Sequence, residues 1–498
     1  MRQVKRLGLL GTGVIGGGWA ARALHFGIDV VAADVKPEME AWIRGAVQNA
    51  EGALARLSIA PLPPKGKLTF TTDLRAMARE VDFIQENIPE QLQLKQRVLG
   101  EASQEAPPDV IIASSTSGLM PTDLQRSVRA PERLLVAHPF NPVYLLPLVE
   151  LVGGERTAPA TIEAAARLYK HIGMHPLHVR REVPGHLTDR LQEALWREIL
   201  HLVNDGVATT GELDESIIYG PGLRWAAMGT NLIYHLAGGE SGMRHMLRQF
   251  GPCLKWPWTK LEAPELTEEL IDRMVEGTQA QARGRSIREL ERLRDDCLVD
   301  IQQVLRRYDI GAGATLRAIE ERLYEENARA TGADIARGGP QIEAPLKLIE
   351  VQVRPEWLDY NGHMTDSRYL QVFGDATDAL FRQVGINDAY RKSGRGMYAV
   401  ETHMTHGAEA KVFENLCVMT QLLSVDDKRV HLFHSMRRMH DDVVVATGEQ
   451  IYLHVNTGAG KAASMEAAVR AKLQAVQAAH ARLPTPAQKG RAVGMPRS

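Results

Sequence analysis

Cysteine is scarce in this 498-residue chain: Cys253, Cys297 and Cys417 stand far apart. That number and spacing exclude a disulfide framework and a paired-cysteine metal site. The three read as reduced thiols of a cytosolic protein. No window approaches the ~20 consecutive apolar residues of a membrane span. Residues 1–10 run straight into a strand pattern, which leaves no room for a signal peptide. Charge of one sign is also missing: 59 Lys and Arg face 61 Asp and Glu, for a net −2. Such a balance gives no general attraction to nucleic acid or to an anionic membrane. The expected compartment is the cytosol, and the expected partners are small molecules.

What is present is an ordinary soluble composition, 24% charged and 44% apolar, on a chain too long for one core. Residues 1–185 alternate short apolar runs with helical stretches, the pattern of a parallel sheet covered by helices. The clearest strands are 5–10, 29–33, 83–87, 110–113 and 134–138. Residues 186–325 carry long runs with apolar positions at i, i+3 and i+4, which predict an all-helical domain. Residues 326–345 are rich in Gly, Ala and polar side chains and read as a linker. Residues 346–475 show strand-like runs around one long helix at 367–384, an α+β pattern. The stretch 482–498 reads as a disordered tail.

The first strand leads into Gly11-Thr12-Gly13-Val14-Ile15-Gly16 and then a helix. Glycines are needed there because a Cβ would block the approach of backbone N–H groups to a pyrophosphate. The helix N-terminus faces that phosphate with the positive end of its dipole. A second strand ends at Asp34, placed to accept the ribose hydroxyls and to repel a 2′-phosphate. NAD is the cofactor this favours over NADP, although Lys36 nearby is the opposite signal. His171, His175 and His178 have metal-like spacing, but Gly173 and Pro176 break the helix that would align them. No metal is expected.

Glu90, Ser117, His138 and Glu150 follow one another at intervals of 27, 21 and 12 residues. With Lys95, the segment 113–119 and His138-Pro-Phe-Asn-Pro, they resemble the 3-hydroxyacyl-CoA dehydrogenase family over about residues 3–320. The resemblance implies a Rossmann domain, a helical second domain, and Glu90 and Lys95 beside the cofactor. The chemistry is consistent with it. Hydride leaves a carbinol carbon easily only as its hydroxyl proton is removed, a task suited to a neutral imidazole. His138 is the expected base, Glu150 the carboxylate that fixes its tautomer, and Ser117 the hydrogen-bond partner of the substrate oxygen. Each residue taken alone also has a purely structural reading.

Where that family has Asn-Arg after a Pro-Gly-aromatic segment, this chain reads Pro184-Gly185-His186-Leu187-Thr188-Asp189-Arg190. An acid at Asp189 favours a cationic substrate. Arg224 and Trp225, in Gly222-Leu-Arg-Trp-Ala, resemble the branch that oxidises small acids rather than CoA thioesters. With Trp256 and Trp258 and with Asp189, the closest resemblance is to the carnitine-oxidising members. It implies L-carnitine as the alcohol. Aromatic faces attract quaternary ammonium by about 0.5–2 kcal/mol each, and Tyr219, Trp225, Trp256 and Trp258 are the candidates.

Asp359-Tyr-Asn-Gly362-His363, followed by a long apolar helix, resembles the hotdog thioesterases over about residues 346–470. The resemblance makes Asp359 the base or nucleophile toward a thioester. Backbone amides at the start of the following helix would polarise the carbonyl. Glu401 is a second carboxylate candidate, and His363 reads as structural. A partner for carnitine oxidation would be betainyl-CoA, releasing glycine betaine; the two reactions are not consecutive. Both folds imply a homodimer. The alternatives are a sugar-acid dehydrogenase whose hotdog domain serves only dimerisation or acyl binding, and a non-catalytic NAD-binding scaffold, against which the Ser117, His138 and Glu150 set argues.

Overall fold

The structure, a computed structural model, describes residues 4–491 apart from 59, 227–228, 261–264, 266 and 337–341. It divides into two compact units, Met1–Leu57 with Leu62–Ile319, and Ser58–Pro61 with Glu320–Ser498.

The first unit is built on an eight-stranded sheet of order β3-β2-β1-β4-β5-β6-β7-β8. Its strands are β1 Arg6–Leu10, β2 Asp29–Ala33, β3 Leu68–Thr71, β4 Phe83–Glu86, β5 Ile111–Ser114, β6 Leu134–Pro139, β7 Leu148–Gly153 and β8 His175–Val179. All neighbours pair in parallel except β6 and β7. Every residue of β4, β5 and β6 is buried, as expected where helices cover both faces of a sheet. Contacts are close on that surface: a Cβ on Gly8 of β1 would meet the Met77 sulfur at 2.4 Å. The helix Leu74–Glu80 that brings Met77 there starts at Asp73, whose carboxylate accepts the amides of Arg75 and Ala76.

The reversal at β7 matters most for function. In the antiparallel β6–β7 ladder His138 lies directly opposite Glu150, and directly opposed side chains share one face. The loop between these strands is held from behind by Arg22 of helix Val14–His25. Its guanidinium is buried and donates to the carbonyls of Val143, Leu146, Ile172 and Gly173. Burial without a carboxylate partner lowers its pKa to about 9.

After β8 the chain is helical, from Thr188–Asn204 through Ile287–Tyr308. Two of these helices open on full capping boxes, Thr209 with Glu212 and Ser286 with Glu289. The helix Gly311–Ala336 follows. It runs through the first half of the expected 326–345 linker. That segment is alanine-rich, and alanine propagates a helix across the single Gly332. Residues 337–341 of the expected linker lie outside the described ones.

The second unit is an antiparallel sheet of order β10-β13-β12-β11-β9, with β14 added beside β13. Its strands are β9 Leu346–Gln352, β10 Arg395–His406, β11 Asn415–Val425, β12 Arg429–Arg438, β13 Val444–Asn456 and β14 Lys461–Ala462. The helix Asp366–Val384 lies on it and buries Tyr369, Val372, Phe373, Ala376, Leu380 and Val384, an apolar stripe of helical period. Gly448 on β13 is needed under it, because a Cβ would sit 2.8 Å from the Phe373 ring. A second helix, Ala467–His480, also packs on the sheet through Val469, Leu473 and Val476. The sequence reading, with one helix, had missed it. Of the expected tail, residues 482–491 are described and 492–498 are not.

Candidate active sites

At the end of β1, Gly11 adopts φ +85°, and a Cβ there would lie 2.9 Å from the Asn87 carbonyl. A Cβ on Gly16 would come within 2.2 Å of the Gly11 carbonyl. Gly13 is different: nothing lies within 4 Å of its missing Cβ. The loop is therefore tight where the chain meets itself and open where a ligand approaches. The helix Val14–His25 begins there with no side-chain cap and no acid in its first turn, leaving its amides to an anion. Val14, in its first turn, is exposed. Thr12 is buried and donates through its amide and hydroxyl to Asp34 Oδ2, at 3.0 and 2.9 Å. Among the described residues Asp34 Oδ1 takes only the Lys36 amide, at 3.2 Å. The cradle fits a dinucleotide with a free ribose diol.

Glu90 accepts the amides of Ser117 and Gly118 at 3.2 and 3.3 Å, together with the Thr116 hydroxyl. It thus clamps the loop that presents Ser117, which is exposed. Lys95, expected beside the cofactor, is 1% exposed. Its ammonium donates to Glu86 at 2.6 Å and to the Ile88 carbonyl at 3.0 Å, and lies 3.4 Å from Glu90. Lys95 is thus enclosed by Glu86, the Ile88 carbonyl and Glu90. Burial pushes the Glu86 carboxyl up, opposed by Lys95 and by the hydroxyl of Ser114.

His138 is buried between two carboxylates. Its Nδ1 lies 3.1 Å from Glu150 Oε2, and its Nε2 lies 3.6 Å from Asp189 Oδ2. Glu150 Oε1 accepts the amides of Leu187 and Thr188 and the Thr188 hydroxyl, at 3.0–3.1 Å. Burial pushes this carboxyl up, but the bonds from His138 and Thr188 prevail, and its pKa falls below the ordinary value. Glu150 is an anion locked to Nδ1, so that nitrogen carries the proton and Nε2 is left basic. For Asp189 burial dominates and the pKa is raised, with His138 opposing and Glu150 reinforcing.

His138, Glu150 and Asp189 are thus gathered, and Ser117 stands on the loop that Glu90 clamps. The expected substrate residues Arg224, Trp225, Trp256 and Trp258 lie in the helical part of the first unit. Trp256 and Trp258 pack on each other, ring centres 5.1 Å apart, and both are exposed. Arg224 and Trp225 lie on the short exposed helix Pro221–Trp225. Among the described residues no hydrogen bond or ring contact joins any of these four to His138 or Asp189. Thr188 and His186 were not singled out by sequence reasoning. The Gly185-His186 turn was the only available signal.

In the second unit Asp359 heads a tight turn that Gly362 closes at φ +78°. Its Oδ1 accepts the amides of Asn361 and His363 at 2.8 and 3.2 Å. The His363 amide, ahead of a smaller burial effect, lowers its pKa. His363 Nε2 meets Glu409 at 3.0 Å. At the start of helix Asp366–Val384 the Ser367 amide donates to Asp366, at 2.7 Å. Glu401 is exposed on β10 beside a bulge, with no hydrogen bond to Asp359 among the described residues.

Residues 6–183 match the 3-hydroxyacyl-CoA dehydrogenase NAD binding domain, and residues 185–284 match the C-terminal domain of that family. The chain belongs to the 3-hydroxyacyl-CoA dehydrogenase family. Residues 353–473 of this family member match the thioesterase-like superfamily, the hotdog architecture of the second unit. Along 505 aligned residues, 100% of both chains, it is 47% identical to the L-carnitine dehydrogenase/betainyl-CoA thioesterase of Rhizobium meliloti strain 1021. Over 61% of its length it is 57% identical to the L-carnitine dehydrogenase of Pseudomonas aeruginosa strain PAO1, covering 95% of that protein. Among solved structures it is similar to an NAD+-dependent 5-formyl-3-hydroxy-2-methylpyridine 4-carboxylic acid 5-dehydrogenase. There the TM-score is 0.53 and the identity 28%, over 61% of this chain and 99% of that one. NAD is the cofactor of the first unit.

Proposed function

We propose that this chain is a bifunctional enzyme of carnitine catabolism. The first unit oxidises L-carnitine to 3-dehydrocarnitine with NAD, and the second hydrolyses betainyl-CoA to glycine betaine and CoA. The observation that carries the first assignment is the His138 ring between Glu150 and Asp189. Bound NAD supplies the hydride acceptor. His138 Nε2 takes the hydroxyl proton as the carbinol carbon is oxidised, and Glu150 stabilises the resulting imidazolium. Ser117 donates to the substrate oxygen and holds it in line. In carnitine a single methylene separates the carbinol carbon from the quaternary nitrogen. A substrate hydroxyl on Nε2 therefore brings the cation to the Asp189 carboxylate.

In the second unit Asp359 serves as base or nucleophile toward the thioester carbonyl. Its low pKa keeps it ionised for either role. For assembly we propose a homodimer. Leu191, Tyr219, Leu223, Trp256 and Trp258 are all exposed in the helical part of the first unit, and contiguous exposed apolar surface marks association sites. Among the described residues no helix is long and apolar enough to cross a membrane, and the three cysteines are free; we place the enzyme in the cytosol. The test is a substrate panel on the full chain. NADH formation should be fastest with L-carnitine against gulonate and 3-hydroxybutyryl-CoA, and thiol release should follow from betainyl-CoA. Faster turnover of either competing alcohol removes carnitine.

A further inference from the structure

His186 has no part in the reaction as described so far, yet it is built into the centre. It follows Gly185, and both adopt left-handed backbone angles, φ +72° and +47°. For a residue with a Cβ that conformation is strained and persists only where the surroundings impose it. The ring is fully buried, and its centre is 5.6 Å from that of His138. Nε2 lies 3.2 Å from the Thr116 carbonyl oxygen. A carbonyl only accepts, so Nε2 carries the proton and Nδ1 is the bare acceptor. That Nδ1 has no hydrogen-bond partner among the described residues, a destabilising feature in a buried position. Burial lowers the His186 pKa, the nearby His138 assisting and Glu150 and Asp189 opposing. The ring is neutral.

A phenyl ring would fill this volume without an unmet acceptor, but it would not reach Thr116. The bond it would lose joins two catalytic segments. Thr116 precedes Ser117 in the loop clamped by Glu90, and Leu187 and Thr188, next to His186, supply the amides that hold Glu150. We propose that His186 is a positioning residue of the dehydrogenase centre, tying the Ser117 loop to the turn that braces Glu150 through its Nε2–H bond to the Thr116 carbonyl. It rests on the alcohol-oxidation reading of this unit.

Three variants of the full chain test it, assayed by NADH formation with whichever alcohol the wild type oxidises best. His186→Phe keeps the ring and loses the donor. His186→Gln places an amide N–H where Nε2 was, whereas His186→Asn places one at the Nδ1 position. Misplacing reacting groups by about 1 Å costs roughly tenfold to a hundredfold. His186→Phe and His186→Asn should lose kcat on that scale, with NADH affinity by fluorescence and melting temperature close to wild type. His186→Gln should recover most of it. Equal losses in the Gln and Asn variants, or wild-type kcat in His186→Phe, overturn the proposal. A wild type inert toward every alcohol in the panel would remove the reading beneath it; an active wild type with indifferent variants removes the proposal alone.

Discussion

On the proposed reading, Asp189 combines two roles that the sequence shows only as one. Its charge favours a cationic substrate, and its place beside His138 Nε2 puts that charge at the reacting end. Replacing it by Asn keeps the shape and removes the anion. At a site about a quarter exposed, with a side-chain exposure of 24%, the attraction to a quaternary ammonium is worth about 1–2 kcal/mol after solvent screening. Asp189→Asn should therefore raise KM for carnitine by roughly tenfold, with little change for an uncharged 3-hydroxy acid. Steady-state NADH assays on both substrates check this, and an unchanged carnitine KM would mean that the cation is held elsewhere. Ser117, His138 and Glu150 were singled out through the family resemblance, whose intervals they match; the parallel sheet expected for residues 1–185 gave no sign that His138 and Glu150 face each other across an antiparallel pair. His186 was not legible. Neither its left-handed backbone nor its bond to Thr116, 70 residues away, leaves a mark in local sequence. For the tryptophans, aromatic enrichment is visible in sequence, but its direction is not.

At the level of elements, the alternating strands of the first unit and the long helix of the second were legible from periodicity. Gly311–Ala336 was cut short in the reading because a Gly and mixed polar residues imitate a linker, while helical propensity carries the chain on. The polar interior of the second unit was invisible. On helix Asp366–Val384, Thr377 meets His434 Nε2 of β12 at 2.9 Å, and Thr420 of β11 meets its Nδ1 at 2.7 Å. The ring stacks on Phe373, and burial lowers the His434 pKa to about 4. The unfolded chain binds this proton near pH 6.5, before the folded state does. Stability should thus be constant above about pH 6.5 and fall as pH drops, levelling near pH 4 where the folded state also protonates. The full difference is about 3 kcal/mol. Thermal melting across this range should show the loss, with less of it in His434→Gln. A His434→Gln chain with the wild-type pH dependence would assign the effect to other groups, of which His25, also lowered to about 4 by burial, is the first to consider.

For the whole molecule, the two centres ask different things of one chain. His138 is buried against Glu150, whereas Asp359 is a turn carboxylate whose pKa backbone amides lower. Neither centre borrows a residue from the other among those identified, so their activities should separate by single substitutions. Removing a general base or nucleophile costs roughly 10²–10⁴ in rate. Asp359→Ala should lose betainyl-CoA hydrolysis on that scale while reducing NAD with carnitine at the wild-type rate. His138→Asn should show the reverse, silent toward carnitine and undiminished in thiol release. Measuring both activities on both full-length variants gives a two-by-two outcome. Retained hydrolysis in Asp359→Ala would move the thioesterase chemistry to another carboxylate, with Glu401 the first to test. A joint loss in either variant, with melting unchanged, would show instead that one centre depends on the state of the other.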